Sequence, residues 1–294
     1  MSVSLDDYMA DCRRLLSAQL PGFFERETIP PTLREAMLYS LTAGGKRIRP
    51  ILLFATLDAL GHEREAGLSV AVALEMIHTY SLIHDDLPAM DNDDLRRGRL
   101  TNHKVYGEGT AILAGDGLLT AAFQIVAEES TIAPDMRVRL IAMLAAAAGP
   151  AGMVGGQEDD LEAEQQSLTL DALQSVHSRK TGKLICFPVE AAALLSQATV
   201  DQSAALLRYA ECLGLAFQIG DDVLDVAGRQ DEIGKPIGSD AVNHKNTYVS
   251  LLGLAGATDA LKRQIDRAIA ALQSIGLERS MLARLATYLL ERAN

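Results

Sequence analysis

The 294-residue sequence has no tryptophan and only three cysteines. Cys12, Cys186 and Cys212 lie far apart, and no CxxC motif occurs. This pattern excludes a disulfide framework and a thiolate zinc site. It is typical of proteins of a reducing compartment, so we expect a cytoplasmic protein.

Signals for export, membrane insertion and nucleic-acid binding are also missing. The first residues, MSVSLDDYMADCRR, contain no basic segment followed by an apolar one, which excludes an ordinary secretory signal. There is no run of about 18 uncharged apolar residues, so we expect no membrane-spanning helix. No segment resembles a basic amphipathic anchor, so we expect no stable membrane anchoring. The net charge of −12 argues against nucleic acid as a partner, because that binding needs a basic surface.

Alternating β-branched runs bounded by turn residues are absent, whereas alanine- and leucine-rich segments with helical spacing fill the chain. The chain shows no linker-like stretch, repeat or low-complexity tract. We therefore expect an all-α protein with a single domain, residues 1–294, built as a large helical bundle. The spacing predicts helices at residues 4–20, 32–43, 48–60, 66–87, 106–129, 135–149, 169–178, 181–195, 201–227, 245–254, 258–275 and 278–292.

Two aspartate clusters interrupt the apolar pattern. The first lies in HDDLPAMDNDDLRRG, residues 84–98, where Pro88 ends a helix just after its aspartates. The second lies in FQIGDDVLD, residues 217–225, where Asp221 and Asp225 share one helix face and Asp222 lies at its edge. Acidic runs are usually solvated surfaces, but carboxylates packed so closely in an apolar segment repel each other and need basic partners or cations.

The chemistry of these clusters fits Mg²⁺, which prefers carboxylate oxygens, keeps several waters and often bridges carboxylates to substrate phosphates. The segment TAGGKRIRP collects three cations at a helix start, where positive charge is unfavourable unless an anion is bound. Basic residues would then be direct phosphate ligands around a metal-bridged diphosphate: Lys46, Arg49, Arg96, Arg97 and Lys180.

In this order, GGKRIRP, DDLPAMD with RRG, RKTGKL and FQIGDDVLD resemble the motifs of the trans-isoprenyl diphosphate synthases, the polyprenyl synthase family. The resemblance runs from about Leu33 to Thr247. It implies an isoprenoid-synthase bundle with a central active-site cavity, a homodimer, and about three Mg²⁺ ions for which Mn²⁺ substitutes. The implied substrates are isopentenyl, dimethylallyl and geranyl diphosphate.

The resemblance also implies roles for the residues at the matching positions. Metal ligands would be Asp85, Asp86, Asp91, Asp221, Asp222 and Asp225, with Asp93 and Asp94 as outer or loop charges. Isopentenyl diphosphate would be bound by Lys46, Arg49, His78 and Arg97, and the allylic diphosphate by Arg96, Lys180 and Lys235. The allylic cation would be stabilised by Thr181, Gln218 and the Lys180 carbonyl. Without the motifs, His78 would be read as an ordinary buried histidine.

The implied product is (2E,6E)-farnesyl diphosphate. Tyr80 and Ser81 precede Asp85 by about one helical turn, where the resemblance implies that a bulky aromatic residue stops elongation at fifteen carbons. Geranylgeranyl diphosphate is the alternative product, and Tyr80 is alternatively an ordinary core aromatic. The spacer between Asp86 and Asp91 is similar to those of bacterial farnesyl and plant geranylgeranyl diphosphate synthases.

Two other functions compete with this interpretation. A class I terpene cyclase shares the helical bundle and an aspartate-rich motif, but a chain with 4% aromatic residues has few ring faces for a long cation. A catalytically silent regulatory subunit is the non-enzyme alternative, and the intact aspartates and cations argue against it. The chain departs from the common family pattern at three positions. Leu100 and His244 concern the geometry of loops, and Gly220 concerns one contact near the second aspartate cluster.

Overall fold

A computed structural model describes residues 3–25, 28–163, 166–227 and 246–292. It is all-α apart from one short hairpin in these ranges, as the sequence predicts. The chain divides into two compact units, residues 1–54 with 63–141 and residues 55–62 with 142–294. The prediction of a single domain stays a prediction.

The first unit contains the helices of the amino-terminal half and the hairpin. Its helices are α1 (Leu5–Gln19), α2 (Gly22–Glu25), α3 (Pro31–Leu41), α4 (Ile48–Ala59), α5 (Leu68–Asp85), α6 (Asn102–Tyr106), α7 (Glu108–Glu128) and α8 (Pro134–Ala148). Strands β1 (Leu95–Arg96) and β2 (Arg99–Leu100) pair antiparallel. Helices α4 and α8 each have residues in both units.

The second unit contains the helices of the carboxyl-terminal half. They are α9 (Met153–Ala163), α10 (Leu170–His177), α11 (Lys183–Leu195), α12 (Val200–Ala227), α13 (Tyr248–Gln273) and α14 (Met281–Arg292), with a π-helical turn at Ser178–Gly182. Side-chain hydroxyls cap the amino-terminal ends of three helices: Ser4 caps α1, Thr169 caps α10 and Thr247 caps α13. Each hydroxyl accepts a hydrogen bond from a backbone N–H in the first turn of its helix.

Helix α5 is apolar on nearly all sides, which is the pattern of a buried helix. Twelve of its 18 residues are buried, and it packs against α7 and α3. Each fully buried Leu, Ile or Val side chain stabilises the fold by about 1.5–3 kcal/mol. In the second unit α12 has the same role, packed against α13 and α11. The two aspartate clusters lie at the carboxyl ends of these two central helices.

Most of the predicted helices are confirmed, and the short helices α2 and α6 are additional to them. The predicted helix 106–129 begins only after Gly107, whose φ of 83° separates α6 from α7. The predicted helices 245–254 and 258–275 correspond to the two parts of α13, which are separated by a kink at Gly253 with φ 70°. Helix α9 was not predicted, because its glycines lower helix propensity and its segment MVGGQEDD has little apolar periodicity.

By length and composition alone, three segments would be long and apolar enough to cross a membrane. They are Arg64–Asp85, Glu108–Glu128 and Pro134–Ala163, and 72%, 39% and 33% of their most apolar windows are buried inside the protein. The prediction that no helix spans a membrane stays a prediction. All three cysteines are free, as the sequence predicts.

Candidate active site

The carboxyl end of α5 carries the first aspartate cluster. The helix ends at Asp85, and the chain turns through Pro88, which has no N–H to continue it. The N–H of Asp91 then donates to the carbonyl of Asp85 at 2.8 Å. The turn thus brings the backbones of Asp85 and Asp91 together, with Asp85 half-buried and Asp91 exposed.

Asp86 is the buried member of this cluster, with 3% of its surface exposed. Its Oδ1 accepts a hydrogen bond from Arg96 Nε at 2.6 Å, and Arg96 also contacts Asp93 at 3.3 Å. Burial raises the pKa of Asp86 to about 6, although the charge of Arg96 opposes the rise. Asp86 and Arg96, predicted as ligands of metal and of allylic diphosphate, are therefore paired with each other. The outer charge Asp94 pairs with Lys104 at 2.7 Å.

Arg97 lies at the tip of the β1–β2 hairpin. Arg97 and Gly98 have φ angles of 53° and 74°, the pattern of a type I′ turn between antiparallel strands. The Arg97 guanidinium donates to the carbonyl of Gly44 and lies against Gly45. A Cβ at Gly45 would approach Arg97 Cζ to 2.7 Å, so a glycine is needed for Arg97 to reach the loop of residues 44–49, here called the basic loop.

The basic loop and α5 form a strongly positive region. Lys46 is exposed, while Arg49 and His78 are partly buried. Removal from water, followed by the positive charges of Arg49, Arg97, Arg47 and Arg96, holds the pKa of His78 well below its usual value. The structure therefore groups His78 with Arg49 and Arg97, three of the four residues predicted to bind isopentenyl diphosphate.

Beside the hairpin in the first unit lies a pocket with about 370 Å³ of empty space, part of which is open solvent. It is lined by residues of α3, α5 and the hairpin, among them Asp86, Arg96 and Arg97. The pocket therefore gives space beside the paired Asp86 and Arg96 side chains. The central active-site cavity that the sequence predicts stays a prediction.

Tyr80 and Ser81 occupy the turn of α5 before Asp85. Tyr80 is 6% exposed, and its ring meets the His84 ring edge-on with centroids 5.8 Å apart. Burial, followed by the charge of Asp85, raises the pKa of Tyr80 to about 12. Ser81 donates to the carbonyl of His78 at 2.9 Å. A buried aromatic ring thus lies within electrostatic reach of the first cluster.

The second aspartate cluster lies at the carboxyl end of α12. Asp221 is exposed, whereas Asp222 and Asp225 are each 5% exposed. Oδ2 of Asp222 accepts the backbone N–H of Tyr248 at 2.7 Å, which satisfies a donor at the start of α13. Asp222 therefore fixes the start of α13, whereas Asp221 is the exposed residue of the cluster.

The RKTG segment forms the π-helical turn before α11, a distortion that is frequent at functional sites. Thr181 Oγ1 donates to Gln218 Oε1 on α12 at 2.7 Å. The structure thus brings together the two side chains predicted to stabilise a cation. Lys180 Nζ pairs with Asp160 of α9 at 2.5 Å, and Arg179 pairs with the neighbouring Asp159.

Two glycines let helices approach this turn closely. A Cβ at Gly156 of α9 would lie 2.1 Å from the backbone nitrogen of Lys180, which no side chain allows. A Cβ at Gly214 of α12 would lie 3.1 Å from Cα of Gly182. The backbone of the turn is therefore held between α9 and α12.

The two clusters offer only carboxylate oxygens, the donor type that Mg²⁺ prefers. Among the described residues, no three His, Cys, Asp or Glu side chains lie close enough to hold a metal ion by themselves. This arrangement fits an ion that keeps several waters and shares its coordination with a phosphate ligand.

Sequence reasoning misses four residues that contact a predicted site residue or lie close to one along the chain. Asp160 lies on the unpredicted helix α9, in GGQEDD. Arg47 and Glu75 form a buried ion pair. The feature of the sequence that could have indicated this pair is Glu75, a single acidic residue within the apolar part of α5. A ring nitrogen of His84 lies 3.1 Å from the carbonyl oxygen of Ile112 on α7. The position of His84 directly before Asp85 is the feature of the sequence that could have indicated it.

Lys235 and His244 lie outside the described residues, so the role predicted for Lys235 stays a prediction. The other two departures fit the fold. The Tyr39 hydroxyl donates to the carbonyl of Leu100 at 2.8 Å, so the hairpin is joined to α3 without a proline. A Cβ at Gly220 would lie 3.9 Å from Leu261, an ordinary contact.

An all-α fold with two aspartate clusters at helix ends and a grouped set of cations defines a protein of the isoprenoid synthase type. Residues 30–279 match the family described as polyprenyl synthetase. The chain belongs to this family.

Known proteins resemble the chain over nearly their whole length. The farnesyl diphosphate synthase of Geobacillus stearothermophilus is 52% identical over 283 residues, which cover 96% of this chain and 95% of that protein. The farnesyl diphosphate synthase of Bacillus subtilis is 46% identical and covers 97% of each. An apo crystal structure of an FPP/GFPP synthase from Zymomonas mobilis superposes with a TM-score of 0.86 at 40% identity, covering 98% of this chain and 100% of that one. The predicted fold class is confirmed.

Proposed function

We propose that the chain is a metal-dependent prenyltransferase. It condenses isopentenyl diphosphate with dimethylallyl and then geranyl diphosphate and releases (2E,6E)-farnesyl diphosphate. The observation that carries this proposal is the grouping of Arg49 and Arg97 around His78, which lies in the helix that ends in Asp85. In a chain with net charge −12, such a cationic group beside carboxylates serves an anionic ligand that also binds metal.

Isopentenyl diphosphate is held by cations alone. Its diphosphate binds Lys46, Arg49, His78 and Arg97, whose flexible or forked donors match phosphate oxygens. Burial, followed by the surrounding guanidinium charges, holds the pKa of His78 well below its usual value, and a bound diphosphate would offset the contribution of those charges.

The allylic diphosphate is held by Arg96, Lys180 and Lys235 together with the aspartates. Arg96 is paired with Asp86, and Lys180 with Asp160. When the diphosphate binds, it competes with these carboxylates for the two cations. Before substrate binds, the ion pair holds the side chains of Asp86 and Arg96 in place. Release of Arg96 to the diphosphate would then free an oxygen of Asp86 for a divalent ion.

Charge neutralisation drives the reaction. Bound Mg²⁺ stabilises the negative charge that develops on the leaving diphosphate. The metal ions would be held by Asp85, Asp86, Asp91, Asp221, Asp222 and Asp225. The lysine and arginine side chains around the allylic diphosphate stabilise the same charge. Such electrostatic stabilisation of the transition state by preorganised groups is usually the largest contribution to catalysis.

The cation formed when the allylic C–O bond breaks faces oxygen dipoles. Thr181, Gln218 and the Lys180 carbonyl supply them, and the Thr181–Gln218 hydrogen bond fixes their geometry. The C=C bond of isopentenyl diphosphate attacks the cation, and the released diphosphate accepts the proton that is then lost. No basic side chain is required for this step.

Chain length is set by Tyr80, assisted by Ser81. The Tyr80 ring is buried one turn before Asp85, where it blocks the path of a growing hydrocarbon along α5. We further propose a cytoplasmic homodimer with about three Mg²⁺ ions per active site, replaceable by Mn²⁺. No nucleic acid and no stable membrane anchor takes part.

With Mg²⁺ or Mn²⁺, the purified chain alone should condense labelled isopentenyl diphosphate with dimethylallyl diphosphate, so that label appears in longer prenyl diphosphates. Excess EDTA should stop this incorporation of label. A chain that incorporates nothing under any metal condition would be a silent subunit. A cyclic hydrocarbon formed from an allylic diphosphate without isopentenyl diphosphate would instead identify a terpene cyclase.

A further inference from the structure

Arg47 differs from the other cations of the basic loop because it is buried. It is 7% exposed, and Glu75 in α5 is 1% exposed. Nη1 of Arg47 donates to Oε1 of Glu75, and Nη2 donates to the carbonyl of Leu41 at 2.6 Å. A charged pair therefore lies inside the first unit, in a loop that also carries the exposed Lys46 and the partly buried Arg49.

This pair is a poor device for stability. Burying two charges costs about as much as their attraction returns, and apolar residues of similar size often stabilise a fold as well. Oε2 of Glu75 has no hydrogen-bond partner among the described residues. Arg47 also has a φ of 53°, which is unfavourable for a residue with a side chain. These costs point to a role in positioning.

The pair joins the basic loop to the helix that carries His78. The Arg47 carbonyl accepts the N–H of Ile51 at 3.1 Å and so starts α4, while its side chain is fixed to α5 one turn before His78. At the other end of the loop, Arg97 donates to the carbonyl of Gly44. Two arginine contacts thus fix the backbone on both sides of Lys46.

Charge gives the pair a second effect. Four arginines contribute to the depressed pKa of His78, so the ligand-binding cations repel each other. Glu75 is a buried negative charge next to this group, and its attraction offsets part of that repulsion. The cations can therefore be held together before an anion arrives.

We propose that Arg47 and Glu75 are positioning residues of the isopentenyl diphosphate site, which hold Lys46 and Arg49 in place to share one diphosphate with His78 and Arg97. This inference rests on the proposed function. Neither side chain contacts the substrate, and both act through the geometry of the basic loop.

The test compares Arg47→Met, Glu75→Gln and the double variant Arg47→Met/Glu75→Leu. In all three, KM for isopentenyl diphosphate should rise about 10- to 100-fold, the usual effect of misplacing a binding group by about 1 Å. KM for geranyl diphosphate should change little. The double variant leaves no unpaired buried charge, so its unfolding midpoint should return toward that of the parent chain. Arg47→Lys, which keeps the charge, should recover part of the affinity.

A core variant in the second unit controls for lost stability. Leu285 in α14 is 3% exposed, and Leu285→Ala should lower the unfolding midpoint without changing either KM. If the double variant regained the parent KM together with its stability, the pair would be structural only. An equal rise of both KM values would also overturn the proposal.

Binding of inorganic diphosphate separates this inference from the proposed function. Calorimetry without allylic substrate should show binding to the parent chain and at least about tenfold weaker binding to the double variant. A parent chain that binds diphosphate but transfers no prenyl group would refute the proposed function and leave the positioning role standing. Equal binding to both chains would refute the positioning role whatever the activity.

Discussion

The Thr181 hydroxyl donates a hydrogen bond to the side-chain oxygen of Gln218 at 2.7 Å. Thr181 lies in the π-helical turn before α11, and Gln218 lies on α12 three residues before Asp221. A threonine hydroxyl has one proton, so this bond leaves its lone pairs for a positive ligand. The bond thus couples the turn to the helix that carries the second aspartate cluster.

Thr181→Val removes this bond with almost no change in volume. We expect kcat to fall about 10- to 100-fold with little change in either KM, because the lost oxygen acts mainly on a charge that develops in the transition state. Thr181→Ser is the matched control and should keep most of the activity. Steady-state kinetics with both substrates measures the effect, and an unchanged kcat in the valine variant would contradict the role of Thr181.

The aspartates of the two clusters should control kcat. Asp85→Ala and Asp221→Ala should each lower kcat by at least about 100-fold, since metal held by them stabilises the leaving group in the transition state. Asp94→Asn, which removes a surface charge paired with Lys104, should have little effect. A loss seen only in KM would mean that these aspartates serve substrate binding alone.

The two diphosphate sites should separate in kinetics. Lys46→Ala and Arg97→Ala should raise KM for isopentenyl diphosphate more than KM for geranyl diphosphate, and Arg96→Ala and Lys180→Ala should do the reverse. The larger shift should be about 10- to 100-fold, as expected for one charged hydrogen bond. Arg97→Lys should rescue only in part, because lysine lacks the guanidinium fork.

A control for these variants lies in the same hairpin. Arg99 stacks on the Tyr39 ring at 4.1 Å from its centroid and has no role in the proposed sites, so Arg99→Ala should leave both KM values nearly unchanged. Equal effects of the four site variants on both substrates would show that the assignment of the two sites is wrong.

Acid should destabilise the protein through His177. Burial lowers the pKa of His177 to about 4, the charge of Asp160 opposes this shift, and Lys180 adds to it. The folded state therefore prefers the neutral ring, and the stability it contributes is present above the unfolded pKa of about 6.5 and is lost as the pH falls toward 4. Through the protonation of His177, the free energy of unfolding should fall by roughly 2–3 kcal/mol when the pH is lowered from 7 to 4.5.

His177→Phe tests this effect because it keeps a ring beside Tyr248, whose centroid lies 5.6 Å away, and removes the titration. Urea unfolding at pH 7 and pH 4.5 should show a smaller loss in the variant than in the parent chain. Equal losses in the two chains would mean that His177 titrates normally in the folded state.

The sequence predicts most helices and the segments that carry the site. Helical periodicity and motif spacing are local, so α5, α12 and the turn at Pro88 follow from neighbouring residues. The pairings Asp86–Arg96 and Lys180–Asp160 do not, because each depends on how separate elements pack. Strands of two residues, as in the hairpin of Arg97, are too short to show alternation.

Tyr80 should determine where elongation stops. Tyr80→Ala should shift the product to twenty carbons or more, because removal of the buried ring leaves a cavity that an apolar chain can fill. Tyr80→Phe keeps the ring and should keep the product of the parent chain. If the alanine variant still made only fifteen carbons, another residue would set the length.

The most direct test of the account is the product of the unaltered chain. Purified protein is incubated with dimethylallyl diphosphate, isopentenyl diphosphate and Mg²⁺, and the products are dephosphorylated and separated by chromatography against prenyl alcohol standards. The main product should be (2E,6E)-farnesol. Geranylgeraniol as the main product would contradict the assignment to farnesyl diphosphate, and the absence of any prenyl alcohol longer than the five-carbon alcohols of the substrates would contradict the proposed transferase itself.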